Sequence, residues 1–409
     1  MNLNSGTYYW PTTLPDPPAY PALDQDLNCD VLIVGGGSSA AQCAYYLAEP
    51  SLDVVVIEKG KIGSGSTSAN TALLQYSGEK MFTKLVHTFG ESYTARHLQL
   101  LKEAIQEIED ASKYVDMDFE FTRRDTLYCA SCTEDVAKLK AEYEYLQQHH
   151  CELSFWTKEQ IESKYPFSRE AAIYSYNDAE FNPFKFTHAL FDYAAKKKVQ
   201  IYENTEVNGH HYDAGQERMV ITTKTGHSIY ARRVIFAAGY EGIDIKQEKQ
   251  TSFVSTYTIT TGPVKDFSSW YNRTLIWETA RPYIFMRTTA DNRIIIGGLD
   301  ENTKDPEDRD SKLSNKKDKL VEEFNKRFPD IKIQPEYYLA GFYGGTVDGL
   351  PIVGIYDTYP NSYFLFAFGD NGTVYSQVLA KLITEDIVHG QSEDLSLYLQ
   401  DRPRLAAIK

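Results

Sequence analysis

The chain's first regular element is an unbroken apolar run. DVLIV (30–34) leads into Gly35, Gly36 and Gly37. Such a run without alternation reads as a strand buried on both faces. The small residues after it predict a helix from about Ser38 to Ala48, and DVVVIEKG (53–60) is a second apolar strand. Strand, glycine turn, helix and strand make one βαβ unit. The period then changes. Leu98, Leu101, Ile105 and Ile108 predict a helix over 91–114. FEFTRRDTLYCA (119–130) alternates like a strand and precedes a charged helix that runs to about His149. Asn182-Pro183 opens another helix, with Asn as cap and Pro in the first turn. Three strands follow at 200–212, 219–226 and 228–239, and the pair His210-His211 is expected at a surface turn. Segments 251–262, 282–289 and 292–298 predict an antiparallel sheet, with an Asp291-Asn292 turn joining the last two. Helices are expected over 316–330, ended by Pro329, and over 372–390, stopped by Gly390. Residues 1–28 are rich in Pro and Tyr without a period and read as an extended surface arm.

Length and charge narrow this picture. A chain of 409 residues can form two or three domain-sized units. A formal charge of −15 argues against nucleic acid or an anionic membrane as partner, since either requires a basic face. No apolar run reaches membrane length, and the N-terminus lacks the basic and apolar regions of a secretory signal. A cytoplasmic location is therefore expected. The 30 tyrosines suit pockets with aromatic walls and polar tips. Five cysteines (Cys29, Cys43, Cys129, Cys132 and Cys151) without regular spacing argue against a disulfide framework. Cys129 and Cys132 form one C-x-x-C that leaves a redox pair open. Zinc there would need further ligands, and His149 and His150 are the nearest in sequence. No metal site is expected.

The glycine turn carries the first chemistry. Gly35, Gly37 and Ala40 fit G-x-G-x-x-G/A: a tight turn, a close backbone approach for a pyrophosphate, and a small residue where helix packs on strand. The helix start adds free N–H groups, and Ser38 or Ser39 can add a hydroxyl. Glu58 ends the second strand 23 residues after Gly35, where an acidic residue binds a ribose hydroxyl and repels a 2′-phosphate. The loop 59–78 is rich in Gly, Ser and Thr. It offers Ser66, Thr67, Ser68 and Asn70 as donors along a cofactor, or is an ordinary flexible loop.

The whole chain resembles the D-amino-acid oxidase-like superfamily of FAD-dependent oxidoreductases, which includes glycine, sarcosine and gamma-glutamylputrescine oxidases. DVLIVGGGSSAAQCAYYL (30–47) is similar to its opening motif and GSGSTSANTALL (63–74) to its second flavin loop. The N-terminal arm looks like the lead of the putrescine-type oxidases. NTEV (204–207), VIFAAGYEG (234–242), AGFYGGTVDGLPIVG (340–354) and FGDNGTVYS (368–376) are similar to later family motifs. The resemblance implies an α/β fold with an α+β second part: a Rossmann-like FAD-binding domain (1–90, 168–247 and 341–409) interleaved with an antiparallel-sheet substrate domain (91–167 and 248–340). It implies FAD held by Gly35, Gly37, Ser38, Ser39, Ala40, Glu58, Lys59, Ser66, Thr67, Ser68, Asn70, Val207, Ala237, Ala238 and Gly239. At the C-terminal helix it adds Gly369, Asp370, Asn371, Gly372, Thr373 and Val374. N–H groups around Gly372, Thr373 and Val374 are expected to steady negative charge on the flavin pyrimidine.

The implied activity is oxidation of a CH–NH bond of an amino acid or related amine by hydride transfer to flavin N5. A CH–OH dehydrogenase of a 2-hydroxy acid, or a flavin-binding subunit without turnover, are the alternatives. Three departures from the family stand out. Asp370 occupies a position that is usually glycine, where it either lowers the flavin potential, pairs with a cationic substrate, or faces solvent. No Cys or His sits where covalent members tether the cofactor, so FAD is expected to be non-covalent. The strand that carries an oxygen-activating Lys in sarcosine-type oxidases reads Ile294–Ile296 here, which leaves oxygen or another acceptor open. For the substrate, Arg281 and Arg287 are expected to clamp a carboxylate, with Tyr283 and Tyr257 covering it.

Overall fold

The computed structural model describes residues 2–49, 51–78 and 80–405. Met1, Pro50, Glu79 and 406–409, which the domain reading placed in the nucleotide-binding segments, lie outside the described residues. Two sheets organise the chain. The first has a parallel centre in the order Ser362–Phe366, Ser228–Phe236, Leu27–Val34, Val54–Ile57 and Gln200–Tyr202. Its central strands are apolar throughout because both faces are covered. On one face, Val31, Ile33, Val54 and Val56 share a core with Ala40 and Ala44 of the helix Ser38–Tyr46 and Val374 and Val378 of the helix Gly372–His389. On the other, Leu32, Val34, Val55 and Ile57 share a core with Met219 and Ile221. Those two residues belong to a ribbon, Val207–Asp213 paired with Arg218–Thr223, that extends this sheet. His210 and His211 lie on that ribbon and are exposed, rather than in a turn.

The second sheet has ten strands and is mostly antiparallel. Thr251–Thr261, Ile284–Thr288 and Ile294–Glu301 are the three strands expected from alternation, and the turn at Asn292 (φ 63°) joins the last two. Ala171–Glu180 also belongs to this sheet, although the sequence reading grouped residues 168–247 with the nucleotide-binding segments. One face of the sheet is closed by the helix Leu313–Arg327: Leu320 and Phe324 share a core with Tyr257, Ile259, Ile284, Met286, Ile294 and Ile296. The opposite face is left to form a cleft.

Most of residues 11–28 lie at the surface, as expected of an extended arm, but the arm's start is built into the fold. Asn4–Gly6 adds an edge strand to Pro335–Thr346, with Ser5 opposite Ala340. Tyr9 and Trp10 are buried. The Tyr9 hydroxyl donates to Asp291 at 2.6 Å, and the Trp10 indole N–H donates to the Asn70 carbonyl at 2.6 Å. Large rings with one polar atom are stable inside when that atom finds a partner, so a segment without periodicity can still be core.

Candidate active site

A cleft of about 910 Å³ is lined by residues of both sheets. At one end the turns after two neighbouring parallel strands meet. Gly35 has φ +129°, and a Cβ on it would lie 2.4 Å from the Ala237 carbonyl oxygen, so only glycine fits. Ala237, Ala238 and Gly239 form the facing wall. Gly37 starts the helix Ser38–Tyr46 with no side-chain cap, and Ser38 and Ser39 open onto the cleft. The Ser38 N–H donates to Thr67 Oγ at 3.0 Å, while the Ser38 hydroxyl is buried without a protein partner. Glu58 ends the next strand, and its Oε1 accepts from the Gly60 N–H at 2.7 Å. Burial pushes the Glu58 carboxyl up, and the N–H groups of Gly60 and Gly36 pull it back. Lys59, Ser66, Asn70 and Val207 complete this end, with Lys59 paired to Glu241 at 2.7 Å.

The C-terminal helix enters the same cleft. Gly369, Asp370, Gly372 and Thr373 line it. Its N-terminus has no side-chain cap either, because the Asn371 amide is turned away to donate to the carbonyls of Gln75 (2.8 Å) and Ser77 (2.6 Å). The two helix starts lie side by side, joined by Ser39 Oγ to Ser376 Oγ at 2.7 Å and by Gln42 donating to the Thr373 carbonyl at 3.1 Å. Two helix N-termini whose N-cap residues supply no side-chain cap, an orphaned buried hydroxyl and a glycine-only cradle fit a cofactor with a pyrophosphate and a second electron-rich group.

Four residues expected at the cofactor sit behind the wall instead. Ala40 is fully buried where helix packs on strand, the packing its small side chain was expected to allow, and the Val374 side chain is fully buried in the same core, so that any part it has is through its backbone. Ser68 turns inward, its hydroxyl donating to the Gly63 carbonyl at 2.6 Å. Asn371 holds the loop Gln75–Ser77, as described above.

The other end of the cleft lies against the open face of the antiparallel sheet. Thr256, Thr258, Tyr283, Phe285, Asp300 and Tyr343 line it, and Asn4 and Tyr8 of the N-terminal arm close one side. Of the four expected substrate residues, only Tyr283 is on this wall. Tyr257 lies between Thr256 and Thr258, so its side chain takes the opposite face, where its hydroxyl donates to the Arg309 carbonyl at 3.3 Å. Arg287 shares the face of Tyr283 and Phe285 but lies farther along the strand, by about 3.3 Å per residue. It is 2% exposed and donates to the carbonyls of Ala72 (2.9 Å) and Phe181 (3.0 Å) beside Glu180. It therefore holds two loops together rather than a carboxylate. Arg281 precedes the strand, donates to the Ala280 carbonyl at 2.9 Å, and stacks on the Tyr283 ring at 4.6 Å, off the cleft lining.

Asp300 and Tyr343 were missed by the sequence reading. Strict alternation puts residue 300 on the helix-covered face with Ile294 and Ile296. A bulge changes that: Tyr257 pairs with Gly298 but Ser255 with Glu301. Gly298 (φ 126°) and Leu299 (φ 58°) absorb the extra residue, and Asp300 swings into the cleft. The Gly297-Gly298 pair was the available signal, since glycines inside a strand often mark a bulge. The Asp300 carboxyl is pushed up to about 6 by burial and by the charge of Asp370, against a hydrogen bond from Thr256 and the fields of Arg281 and Lys316. Asp370 accepts through Oδ1 from the hydroxyls of Tyr283, at 2.9 Å, and Tyr343. Burial and the nearby Asp370 charge hold the Tyr283 hydroxyl well above its usual range.

Cys129 is buried in the core behind Arg169 and Glu278, and Cys132 is exposed; both are free thiols. His149 is engaged with Glu91 at 2.8 Å. Among the described residues no three His, Cys, Asp or Glu side chains converge as a metal site, and no helix is long and apolar enough to cross a membrane.

Residues 30–386 match the model of a family described as FAD dependent oxidoreductase. The chain is 27% identical over 237 residues to the "Putative Rieske 2Fe-2S iron-sulfur protein YhfW" of Bacillus subtilis, covering 58% of this chain and 45% of that protein. It thus spans under half the length of that relative. It is 25% identical over 385 residues to gamma-glutamylputrescine oxidoreductase of Escherichia coli, covering 91% and 87% of the two chains. In fold it is similar to L-proline dehydrogenase from P. horikoshii, with a TM-score of 0.76, 20% identity, and 93% and 98% of the two chains covered.

Proposed function

This chain belongs to the FAD dependent oxidoreductase family, and from that premise we propose that it oxidises a CH–NH bond of an amino acid or related amine in the cleft between its sheets. When bound, FAD supplies a two-electron acceptor for hydride from the carbon that carries the nitrogen. The cofactor is non-covalent in this reading. Gly35, Gly37 and the helix N-terminus at Ser38 would hold the pyrophosphate, Glu58 a ribose hydroxyl, and Val207 the adenine side. The N–H groups of Gly372 and Thr373, which line the cleft, would steady negative charge on the reduced ring system.

The protein's remaining task is to seat the substrate. Thr256, Tyr283, Asp300 and Tyr343 supply the polar atoms at that end of the cleft. Amine oxidation by hydride loss requires a neutral nitrogen and a fixed C–H direction rather than a nucleophile or metal. The observation that carries the proposal is one continuous cleft joining the glycine-turn cradle to the polar face of a second sheet. Among the described residues no arginine lines the cleft, which weighs against any substrate whose acid group must be clamped, a 2-hydroxy acid or an amino acid alike, and favours a related amine.

Anaerobic titration of the purified flavoprotein with a panel of amines, amino acids and 2-hydroxy acids tests this reading. Bleaching of the visible flavin band by an amine or amino acid is expected. Bleaching by hydroxy acids alone would move the assignment to CH–OH oxidation. No bleaching by any compound would favour a flavin-binding role without turnover.

A further inference from the structure

We propose that Trp10 of the N-terminal arm is a positioning residue for FAD: it fixes the loop at Asn70 and, through Asn70, the start of the C-terminal helix. This rests on FAD lying in the cleft as proposed above, and on nothing about the substrate.

Trp10 is 3% exposed and is held on two sides. Its indole N–H donates to the Asn70 carbonyl at 2.6 Å, and the Arg287 guanidinium lies over its ring at 5.2 Å. Both neighbours act on one turn. The short helix Ser66–Ala69 ends at Asn70, and the chain reaches the strand Leu73–Leu74 through Ala72, whose φ is 58°. A residue with a Cβ is strained in that left-handed region and stays there only where its surroundings hold it. Three contacts do so. Asn70 Oδ1 accepts from the Ala72 N–H at 2.7 Å, Arg287 donates to the Ala72 carbonyl at 2.9 Å, and Trp10 fixes the Asn70 backbone.

One hydrogen bond joins this turn to the cofactor seat. Asn70 Nδ2 donates to Thr373 Oγ1 at 3.1 Å, and both residues line the cleft. Thr373 stands in the first turn of the helix Gly372–His389, whose N–H groups are the ones expected to meet the reduced ring. The Asn70 side chain is thus held at both of its polar ends, and its backbone is held by the arm.

The arm has a second anchor that does not lead to the cofactor. The Tyr9 hydroxyl donates to Asp291, which also accepts from Thr289 and Arg293. None of these four residues lines the cleft. Docking of the arm is therefore linked to the FAD seat at Trp10 and not at Tyr9. Such linkage is reciprocal, so the turn that the arm steadies for the cofactor is steadied by the cofactor in return.

The test compares the two anchors. Trp10→Phe keeps a ring beside Arg287 and removes the N–H. Tyr9→Phe keeps the ring and removes the hydroxyl. Each takes one hydrogen bond from the arm. Holoenzyme is diluted and released FAD is read from its fluorescence, which gives the Kd without turnover. Trp10→Phe is expected to raise that Kd about tenfold, the scale of one hydrogen bond, and to move the flavin midpoint potential to more negative values, because a loosened helix start stabilises the reduced ring less. Tyr9→Phe is expected to change the Kd by less than about twofold. Thr373→Val cuts the bond between turn and helix, and in that background Trp10→Phe should add less than about twofold. An unchanged Kd in Trp10→Phe overturns the proposal. So does an equal rise in both arm variants, which would make the arm a general support, or a further tenfold rise on top of Thr373→Val. A parent chain that retains no FAD overturns the cofactor seat and this inference with it. Faster FAD loss from Trp10→Phe alone, in a protein that no amine bleaches, supports this inference while defeating the CH–NH reading.

Discussion

At the residue scale, a charged side chain in an aromatic strand says little about where its charge is used. Arg287 and Arg281 looked alike in the sequence. One is a buried tie between loops, and the other stacks on a tyrosine at the rim. Arg287→Met should cost about 2–5 kcal/mol of stability, because it leaves the buried Ala72 and Phe181 carbonyls without their donor and removes a second positive charge, beside Arg124, from Glu180. Its melting temperature should fall while the KM of the folded enzyme stays unchanged; a raised KM at unchanged stability would return Arg287 to the substrate. Asp178 makes a second case. Burial pushes its carboxyl from 3.8 up to about 7, and only one of its oxygens is bonded, to Thr126 at 2.5 Å. The folded state then holds a proton that the unfolded state releases, so this residue's contribution to stability falls as pH rises from 3.8 to about 7. Chemical denaturation of Asp178→Asn across that range should show a flatter pH dependence than the parent, and an identical slope would contradict the assignment. The glycine turn, Glu58, Gly369, Asp370 and Gly372 were legible as cleft-lining positions because their residue types carry their geometry, whereas Asn371 turns away to the Gln75 and Ser77 carbonyls. Tyr257 was misplaced because one residue of register exchanges the two faces of a strand.

At the scale of elements, periodicity located the strands and helices but not the irregularity that aims Asp300. The apolar run 294–296 announces a strand. It contains nothing that states where the alternation slips, apart from Gly297 and Gly298. Gly298→Ala tests that bulge directly. Its Cβ would lie 1.9 Å from the Tyr283 carbonyl oxygen at φ +126°, so the strand pair must shift. A loss of at least about 2 kcal/mol is expected from strain at such a position, with weaker amine binding and flavin retained. Unchanged stability and unchanged amine affinity would show that the bulge does not position Asp300. The arm is the opposite case. Its strand Asn4–Gly6 has no hydrophobic period because it only completes an edge, and its burial rests on Tyr9 and Trp10, whose partners lie 60 or more residues away in sequence. Contacts at that distance leave no local pattern.

At the scale of the whole molecule, the cleft exists because two sheets from interleaved segments face each other across two helix N-termini. The end of the cleft that holds Asp300 should respond to pH. Asp300 is expected to take up a proton as pH falls through about 6, so affinity for a protonated amine should drop below that point and level off above it. A KM for an amine substrate that does not rise below it would argue against Asp300 as a binding charge. The central claim is hydride removal from the carbon beside an amine nitrogen. It is tested most directly by an anaerobic single turnover with an amine carrying deuterium on that carbon. The account predicts that the flavin band is lost, that one carbonyl product and one ammonia appear per flavin, and that the loss is slower with deuterium than with hydrogen. A flavin band that persists with every amine offered, or that bleaches without any amine-derived carbonyl product, would contradict it.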